Sequence, residues 1–337
     1  MRVFISGIAG FLGSHLADEF LASGDEVSGV DNLIGGYSDN VPDGCTWYVG
    51  DCNDLDKLKK AMRGSELVFH LAATAHEGLS VFSPHENAHH GYAASAAVFS
   101  AACAVGARRV VFASSMARYG LSDGKLPFRE DSPALPEDPY GIGKLAAEKL
   151  LINLAETHGV EWSIAVPHNI YGPRQYVDPY RNVLAIWVNR MLQGRQPVIY
   201  GDGSNQRSFS YISDDVAPLV AMGVQDNAAR QLINIGPDEE DERASTILQA
   251  CQTTASVLGF RLDPIFMPER PREVKRAYCS AEKARKLLGY RTTVPLIVGV
   301  GKLVEWMRAR GPRTFQYNLD IEIDSPLLPE TWGKRLF

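Results

Sequence analysis

The 337-residue sequence has few cysteines, no excess of positive charge and no long apolar run. Its five cysteines are scattered without a Cys-x-x-Cys pair, which argues against zinc ligation and disulfides and favours a reducing compartment. The formal net charge of −6 argues against a nucleic-acid surface. No stretch reaches transmembrane length, and the N-terminal apolar run is too short for a signal peptide. We therefore expect a cytoplasmic protein that binds neither nucleic acid nor membrane.

The remaining composition is that of an ordinary globular protein, with 45% hydrophobic and 22% charged residues. Strand and helix patterns alternate over roughly the first 165 residues, which predicts an α/β fold with a Rossmann-type, doubly wound parallel sheet. After Pro167 this rhythm breaks. We expect a cofactor domain over residues 1–167, with returns near 209–236, and a smaller C-terminal α/β domain over 168–330 that binds substrate.

Three glycines follow the first predicted strand, in the order Gly7, Gly10 and Gly13. A strand precedes them and a helical pattern follows, so their backbone can approach a diphosphate at a helix N-terminus. Asp31 ends the second strand pattern, where a carboxylate accepts hydrogen bonds from both ribose hydroxyls and repels a 2′-phosphate. These features predict NAD rather than NADP as the cofactor.

Further candidate cofactor contacts follow the next strand patterns. Ligands of an open parallel sheet gather at the carboxyl ends of its strands. Asp51 and Cys52 follow the third strand, Leu71–Ala73 the fourth, and Ser114 and Ser115 the fifth. The small side chains after the fourth strand allow a cofactor to lie against the backbone.

The histidines near this region do not form a ligand pattern. We interpret His70 as a packed strand-end residue. His76, His89 and His90 lack a helical ligand spacing and a carboxylate placed beside them, so we expect loop and helix-face roles and no metal.

Tyr140 precedes Lys144 by four residues, in a segment that begins with Pro139 and continues with strong helix formers. The two side chains therefore share one helical face. An ammonium near a phenol lowers the phenol's pKa, which makes Tyr140 a candidate base near neutral pH. Such pairs are also common on helix surfaces, and the functional interpretation depends on the motifs upstream.

Two basic positions mark the second half of the chain. Arg207 lies in a predicted loop over residues 201–211, and Arg270 lies in a short basic cluster. Arginine suits phosphate because its guanidinium binds two oxygens at once.

Together these motifs resemble the extended short-chain dehydrogenase/reductases, specifically the branch of NAD-dependent nucleotide-sugar epimerases and dehydratases. The resemblance runs from Met1 to about Met307, and the tail after Arg308 carries no family motif. It is carried by the glycines, Asp31, Ser114-Ser115, Tyr140-x-x-x-Lys144, Asn169-x-Tyr-Gly-Pro-Arg, Gly201-Asp-Gly and Leu287-Leu-Gly-Tyr290.

The resemblance implies a tightly held NAD, Tyr140 as the catalytic base, Lys144 as its electrostatic partner and Ser115 as the hydroxyl between Tyr140 and the sugar O4. The expected cofactor contacts are Gly7, Gly10, Phe11, Leu12, Gly13, Asp31, Asn32, Asp51, Cys52, Leu71, Ala72, Ala73, Ala113, Ser114, Tyr140, Lys144 and Pro167. The expected contacts of a nucleotide sugar, UDP-linked, are Ser115, Met116, Asn169, Val183, Arg207, Arg270 and Glu273.

The segment after Ser115 bears on the reaction. Dehydratases and decarboxylases of this branch carry a carboxylate where this chain has Met116 and Ala117. Eliminating water requires an acid, so we expect a 4-epimerase that oxidises C4, turns the 4-ketose over and returns the hydride. The alternatives are a dehydratase or decarboxylase that uses Glu77, and a non-catalytic NAD-binding sensor.

The resemblance also implies a homodimer built from two helices per subunit. The alanine-rich helix predicted over residues 93–104 and the helix that contains Tyr140 are the candidates, because small residues permit close helix contact.

Overall fold

A computed structural model describes residues 1–120, 126–238 and 244–337 of the chain. The strands are β1 (Arg2–Ser6), β2 (Glu26–Asp31), β3 (Thr46–Val49), β4 (Leu67–His70), β5 (Arg109–Ala113), β6 (Glu161–Pro167), β7 (Asn169–Tyr171), β8 (Val198–Tyr200), β9 (Gln206–Tyr211), β10 (Gln231–Ile235), β11 (Ala244–Thr246), β12 (Ile265–Met267) and β13 (Arg276–Ala277). The helices are α1 (Phe11–Ala22), α2 (Leu55–Ala61), α3 (Glu77–Ser80), α4 (Pro84–Ala88), α5 (Ala94–Ala104), α6 (Pro139–His158), α7 (Val183–Leu192), α8 (Ile212–Val224), α9 (Ile247–Leu258), α10 (Glu282–Leu288), α11 (Leu296–Arg310) and α12 (Glu330–Gly333).

One sheet has seven strands, in the order β10-β6-β5-β4-β1-β2-β3. Every neighbouring pair in it is parallel. The chain moves outward from β1 in both directions, so the strand order reverses between β1 and β4 and leaves a crevice at the carboxyl ends. The predicted doubly wound α/β fold is therefore confirmed.

The central strands β1, β4, β5 and β6 are buried along almost their whole length, which is typical of a parallel sheet with helices on both faces. In β1, Val3 and Ile5 belong to the hydrophobic cluster on one face and Phe4 to the cluster on the other. This alternation follows from the two-residue repeat of a strand. All three side chains are fully buried.

The second half of the chain returns to the sheet and then leaves it. β10 pairs with β6 at the edge of the seven-stranded sheet. Two smaller sheets stand apart from it, one around β9 with β7, β11 and β13 as partners, and one formed by β8 and β12.

The predicted loop over residues 201–211 is wrong in its second half, where β9 places Arg207 in a strand. Gln206–Tyr211 has no clear apolar alternation, and its strand character comes from pairing with β7, β11 and β13, which lie far away in sequence.

The C-terminal tail (residues 311–337) folds back onto the loops that follow β4. Its Leu319 and Trp332 form a small apolar cluster with Leu79, Phe82 and Tyr180. The carboxylate of Glu322 also accepts hydrogen bonds from backbone amides at the start of α4. The described part of the chain contains no helix long and apolar enough to cross a membrane.

Candidate active site

One deep cleft runs along the carboxyl ends of the seven-stranded sheet and below the smaller sheets. It is lined by every predicted site residue except Met116. Met116, expected to contact substrate, begins a single helical turn after Ser115 and packs against the hydrophobic core. Its contact with substrate therefore stays a prediction.

The glycine loop (Gly7–Gly13) forms the first wall of the cleft. Gly7 has φ +79°, and a Cβ on it would stand 2.8 Å from the backbone nitrogen of Ala72. A Cβ on Gly13 would stand 2.1 Å from the carbonyl oxygen of Gly7. Gly10 is the N-cap of α1 and supplies no side-chain cap. The amides that open α1 are therefore available to an anion such as a diphosphate.

Asp31 lies beside this loop at the end of β2. Its buried carboxylate accepts hydrogen bonds from the backbone amides of Ala9 at 3.0 Å and Leu33 at 2.7 Å. Burial raises the pKa of Asp31, while these two bonds oppose the rise. The acid is held rigidly where an adenosine ribose would meet the end of β2, so the glycine loop and Asp31 together fit an NAD molecule.

Asp51 begins the loop after β3, and its carboxylate accepts a hydrogen bond from the backbone of Asn53 at 2.7 Å. The same carboxylate lies 4.0 Å from His89 and 3.7 Å from His90. The expectation that no carboxylate accompanies these histidines is therefore wrong, because the fold brings the β3 loop against the turn that precedes α5.

His70 and His76 are both buried. His70 lies between the hydroxyls of Ser6 and Ser95, at 2.7 Å and 2.9 Å, and burial lowers its pKa to about 3. It is thus a neutral core residue, as predicted. His76 is not an open loop residue: it immediately precedes α3, and its side chain pairs with the buried carboxylate of Asp178 at 3.1 Å.

Ser115, Tyr140 and Lys144 come together on the floor of the cleft. Ser115 follows β5, and the other two residues lie in the first turns of α6. The helix begins there because Asp138 caps the amide of Gly141 at 2.9 Å and Pro139 occupies the first turn. The Ser115 and Tyr140 side chains are hydrogen-bonded.

The ionisation of this group differs from the expected one. Burial raises the pKa of Tyr140 to about 12, although its bond to Ser115 lowers it. Burial also lowers the pKa of Lys144 to about 7. Lys144 donates to the carbonyl of Ala113 at 2.7 Å, and its nitrogen lies 5.8 Å from the Tyr140 ring centroid. One of the three donors of Lys144 thus binds the backbone, and in this arrangement burial keeps the tyrosine pKa above its ordinary value.

Sequence analysis missed the buried acid beneath this floor. Glu148, one turn beyond Lys144, accepts hydrogen bonds from Arg118 Nε at 3.0 Å and from the Ser114 hydroxyl. The four-residue spacing from Lys144 was the available signal. Glu148 ties the residues after β5 to α6, which fixes Ser115 relative to Tyr140.

A second missed acid faces the cleft beside Tyr140. The buried carboxyl of Asp138 lies 3.4 Å from the Ser80 hydroxyl, which also accepts the backbone amide of Tyr140 at 3.2 Å. Burial and the nearby charge of Glu77 raise the pKa of Asp138 to about 7.

The opposite end of the cleft is basic. Arg270 donates two hydrogen bonds to Glu273, at 3.0 Å and 2.9 Å, and Arg207 lies 3.6 Å from the same carboxylate. Burial would raise the pKa of Glu273, but the arginines hold it below its usual value. The two guanidinium groups meet at one carboxylate, and such groups can also bind the oxygens of a phosphate.

Glu77 lies between the two ends of the cleft. Its side chain is exposed to the open cleft, and its charge acts on Tyr140 and Asp138 at one end and on Arg207 and Arg270 at the other. The surrounding walls of the cleft keep much of the solvent away from Glu77, and this desolvation raises its pKa. The two arginines oppose that rise.

Asn169 and Val183 complete the predicted substrate contacts. Asn169 donates to the carbonyl of Ser208 at 3.1 Å. Val183 opens α7 beside the cleft, and the residue before it, Asn182, gives this helix N-terminus no side-chain cap.

The C-terminal tail supports this end of the cleft, which sequence analysis did not foresee. The Arg270 guanidinium lies 5.0 Å from the Tyr200 ring and 6.0 Å from the Trp332 ring. The hydroxyls of Tyr200 and Thr331 are hydrogen-bonded. The tail thus packs behind the arginine and restricts its position.

Comparison with known proteins agrees with this geometry. Residues 3–236 match the model of the NAD dependent epimerase/dehydratase family. The UDP-glucose 4-epimerase of Mycolicibacterium smegmatis is 32% identical over 314 residues, covering 91% of this chain and 99% of that protein. UDP-glucuronic acid decarboxylase 1 of Danio rerio is 29% identical, covering 99% of this chain and 77% of that protein. The crystal structure of UDP-glucose 4-epimerase from Thermotoga maritima with UDP-glucose has a TM-score of 0.87 at 29% identity, covering 92% of this chain and 99% of that one.

Proposed function

Since the chain belongs to the NAD dependent epimerase/dehydratase family, we propose that it is an NAD-dependent 4-epimerase of a UDP-linked sugar. The observation that carries this proposal is the layout of one continuous cleft. Ser115, Tyr140 and Lys144 form its floor, and Arg207 and Arg270 stand at one end. A sugar held by its diphosphate at the arginines would extend toward Tyr140.

Each residue has a separate task in this reaction. Hydride leaves and returns at C4 through NAD, which supplies that chemistry when bound. Tyr140 takes the proton of the C4 hydroxyl through Ser115 and later returns it. Lys144 holds the Ala113 carbonyl and keeps positive charge near the tyrosine ring. Glu148 keeps Ser114 and the adjoining Ser115 in position.

The segment after Ser115 supports epimerisation over elimination. Met116 packs against the core and Ala117 is buried, so neither can supply an acid to a leaving hydroxyl. Oxidation and return of hydride at C4 would require NAD together with Ser115, Tyr140 and Lys144, and no further acid.

A decarboxylase or dehydratase is the second candidate, and one observation favours it. The carboxylate of Glu77 lies in the cleft, within the electrostatic range of Tyr140. A UDP-glucuronic acid decarboxylase is also among the relatives that cover the chain. A non-catalytic NAD sensor has no comparable support, because a binder does not require the hydroxyl pair.

NMR of the products in deuterated water tests the proposal. Purified protein with UDP-glucose or UDP-N-acetylglucosamine is expected to give the C4-inverted sugar without deuterium at C5. Deuterium at C5 would identify elimination chemistry, and release of carbon dioxide from UDP-glucuronic acid would identify a decarboxylase. Bound NAD with no product from any of the three sugars would support the sensor. Tyr140→Phe serves as the inactive control.

We also propose that the protein works as a homodimer in the cytoplasm. Tyr92 and Ile142 are exposed apolar side chains at the start of the α5 and α6 region, with 40% and 54% of their surfaces accessible. The five cysteines are free thiols. Light scattering is expected to give a dimer at micromolar concentration, and Ile142→Asp is expected to shift it toward monomer. A monomeric wild-type protein would contradict this proposal.

A further inference from the structure

Arg181 is a cleft residue to which none of the motifs assigns a role. It lies on the segment between β7 and α7, in the second half of the chain, yet it reaches the loop after β2. Its terminal nitrogen Nη2 stands 2.6 Å from the position that a Cβ on Gly35 would occupy. The guanidinium thus fills the space that the absence of a side chain on Gly35 leaves open.

The guanidinium is held from behind. Arg181 Nε donates to the carboxylate of Asp178 at 3.0 Å, and its backbone amide donates to the same carboxylate at 3.0 Å. His76 Nε2 contacts the same buried Asp178 oxygen, Oδ2, that accepts the bond from Arg181 Nε. Within residues 1–120, 126–238 and 244–337, the two terminal amino groups of Arg181 donate no hydrogen bond. Its rear edge is therefore fixed while its forward edge faces the cleft.

We propose that Arg181 binds the diphosphate of the NAD cofactor from the side opposite the glycine loop. The second half of the chain then closes over the cofactor through one charged contact. This contact lies outside the glycine loop and Asp31, the features that predict a cofactor in the sequence.

The position of the charge along the cleft indicates the diphosphate and not another part of the ligand. An NAD molecule with its ribose at Asp31 and its nicotinamide at Tyr140 must place its diphosphate between them. Burial raises the pKa of both Asp31 and Tyr140, and Arg181 is among the charges that oppose that rise at each. Arg181 therefore lies within range of both ends of the cofactor.

The substrate diphosphate has its own cations at the other end of the cleft. Arg207 and Arg270 share Glu273 there, whereas Arg181 is paired with Asp178 beside the β2 loop. The two diphosphates would thus have separate arginines. A contact from the second half of the chain would also keep NAD bound between the removal and the return of hydride.

Binding measurements separate these roles without depending on sugar turnover. Arg181→Met keeps the length of the side chain and removes its charge. Hydrogen bonds to a charged group contribute about 1.5–3 kcal/mol, so affinity for NADH is expected to fall roughly 10- to 150-fold. Fluorescence of bound NADH gives its dissociation constant, and displacement gives the inhibition constants of ADP and adenosine.

The competitors identify the part of the cofactor that Arg181 contacts. The affinity for ADP is expected to fall by a similar factor. The affinity for adenosine, which has no diphosphate, is expected to stay unchanged. The affinity of the NAD-loaded protein for UDP is also expected to stay unchanged. Arg181→Lys, which keeps a charge, should recover part of the NADH affinity.

A control variant and the contrary outcomes complete the test. Arg174→Met removes a charge from the same segment, where Arg174 pairs with Asp18 outside the cleft, and should leave NADH binding intact. Equal weakening of ADP and adenosine would show only a structural role. Weakened UDP binding with unchanged NADH would assign Arg181 to the substrate diphosphate. Either result, or unchanged affinities throughout, would overturn the proposal.

Discussion

The two halves of the cleft are built by different means. The cofactor half (Gly7–Gly13, Asp31 and the residues after β4 and β5) lies within one stretch of chain and relies on backbone amides and small residues. The substrate half (Asn169, Val183, Arg207, Arg270 and Glu273) combines side chains from distant segments, supported by the tail. The first half is thus set by backbone geometry, and the second by charge pairing.

The difference teaches where substitutions should act. A backbone-built site tolerates changes in most side chains but not an added Cβ, as the 2.8 Å and 2.1 Å approaches at Gly7 and Gly13 show. A side-chain-built site depends on a few charges, each of which can be removed without altering the chain path. Tyr140 stands where the halves meet, and we expect its loss to have the largest effect.

Tyr140→Phe tests that meeting point. The variant lacks the hydroxyl that contacts Ser115, so turnover of the sugar is expected to fall about 10²–10⁴-fold. The content of bound NAD and the affinity for UDP should remain near those of wild type. Turnover rates, the content of bound NAD and the affinity for UDP are measured on each sample to check this expectation. Ser115→Ala is expected to lose less activity, and a Tyr140→Phe variant with wild-type turnover would remove the catalytic assignment.

Arg270→Met tests whether the substrate half depends on charge. Removal of one of the two cations beside Glu273 is expected to lower the affinity for UDP roughly 10- to 100-fold, because a charged hydrogen bond is lost. NAD affinity should not change. Calorimetry with UDP and NADH measures both, with Arg276→Met, an exposed arginine outside the cleft, as the control. Equal losses for both ligands would mean that the two halves are not independent.

Asp31→Ala tests the acidic side chain of the cofactor half. The variant loses the acid that faces the ribose, and NAD affinity is expected to fall by about tenfold, the order of one charged hydrogen bond. NADP should be tolerated better because its 2′-phosphate no longer meets a carboxylate. Titration with both cofactors gives the ratio of their affinities. A wild-type preference for NADP would show that Asp31 has been misinterpreted.

The smallest expected effect is a pH dependence of folding stability that arises from Asp138, beside Tyr140 where the two halves of the cleft meet. Asp138 has a pKa of about 7 in the folded protein against 3.8 ordinarily, so the folded state binds its proton more tightly than the unfolded state does. Its contribution to stability is complete below about pH 4 and is lost as the pH rises through about 7. Wild type should therefore lose about 2–3 kcal/mol between pH 5 and pH 8 that Asp138→Ser, which keeps a capping hydroxyl, does not lose.

Urea unfolding of both proteins at pH 5 and pH 8 measures this difference. Parallel pH dependence in the two proteins would show that Asp138 titrates near its ordinary value.

The sequence by itself determined the features that depend on local pattern. The buried strands, the glycine loop, Asp31 at the end of β2 and the Tyr140–Lys144 spacing were all predicted from short windows. Their physical causes are equally local: the repeat of a strand, the conformational range of glycine and the turn of a helix. For the same reason the NAD-dependent family and its doubly wound sheet could be predicted, and both are confirmed.

Only the tertiary structure decided the features that depend on contacts between distant segments. Arg207 lies in a strand because β7, β11 and β13 pair with β9. Tyr140 has a raised pKa because burial outweighs the opposing effect of Ser115. The Lys144 ammonium binds the Ala113 carbonyl. The tail behind Arg270 and the reach of Arg181 to Gly35 join residues far apart in the chain. Burial and long-range charge are properties of the folded packing, and no window of sequence contains them.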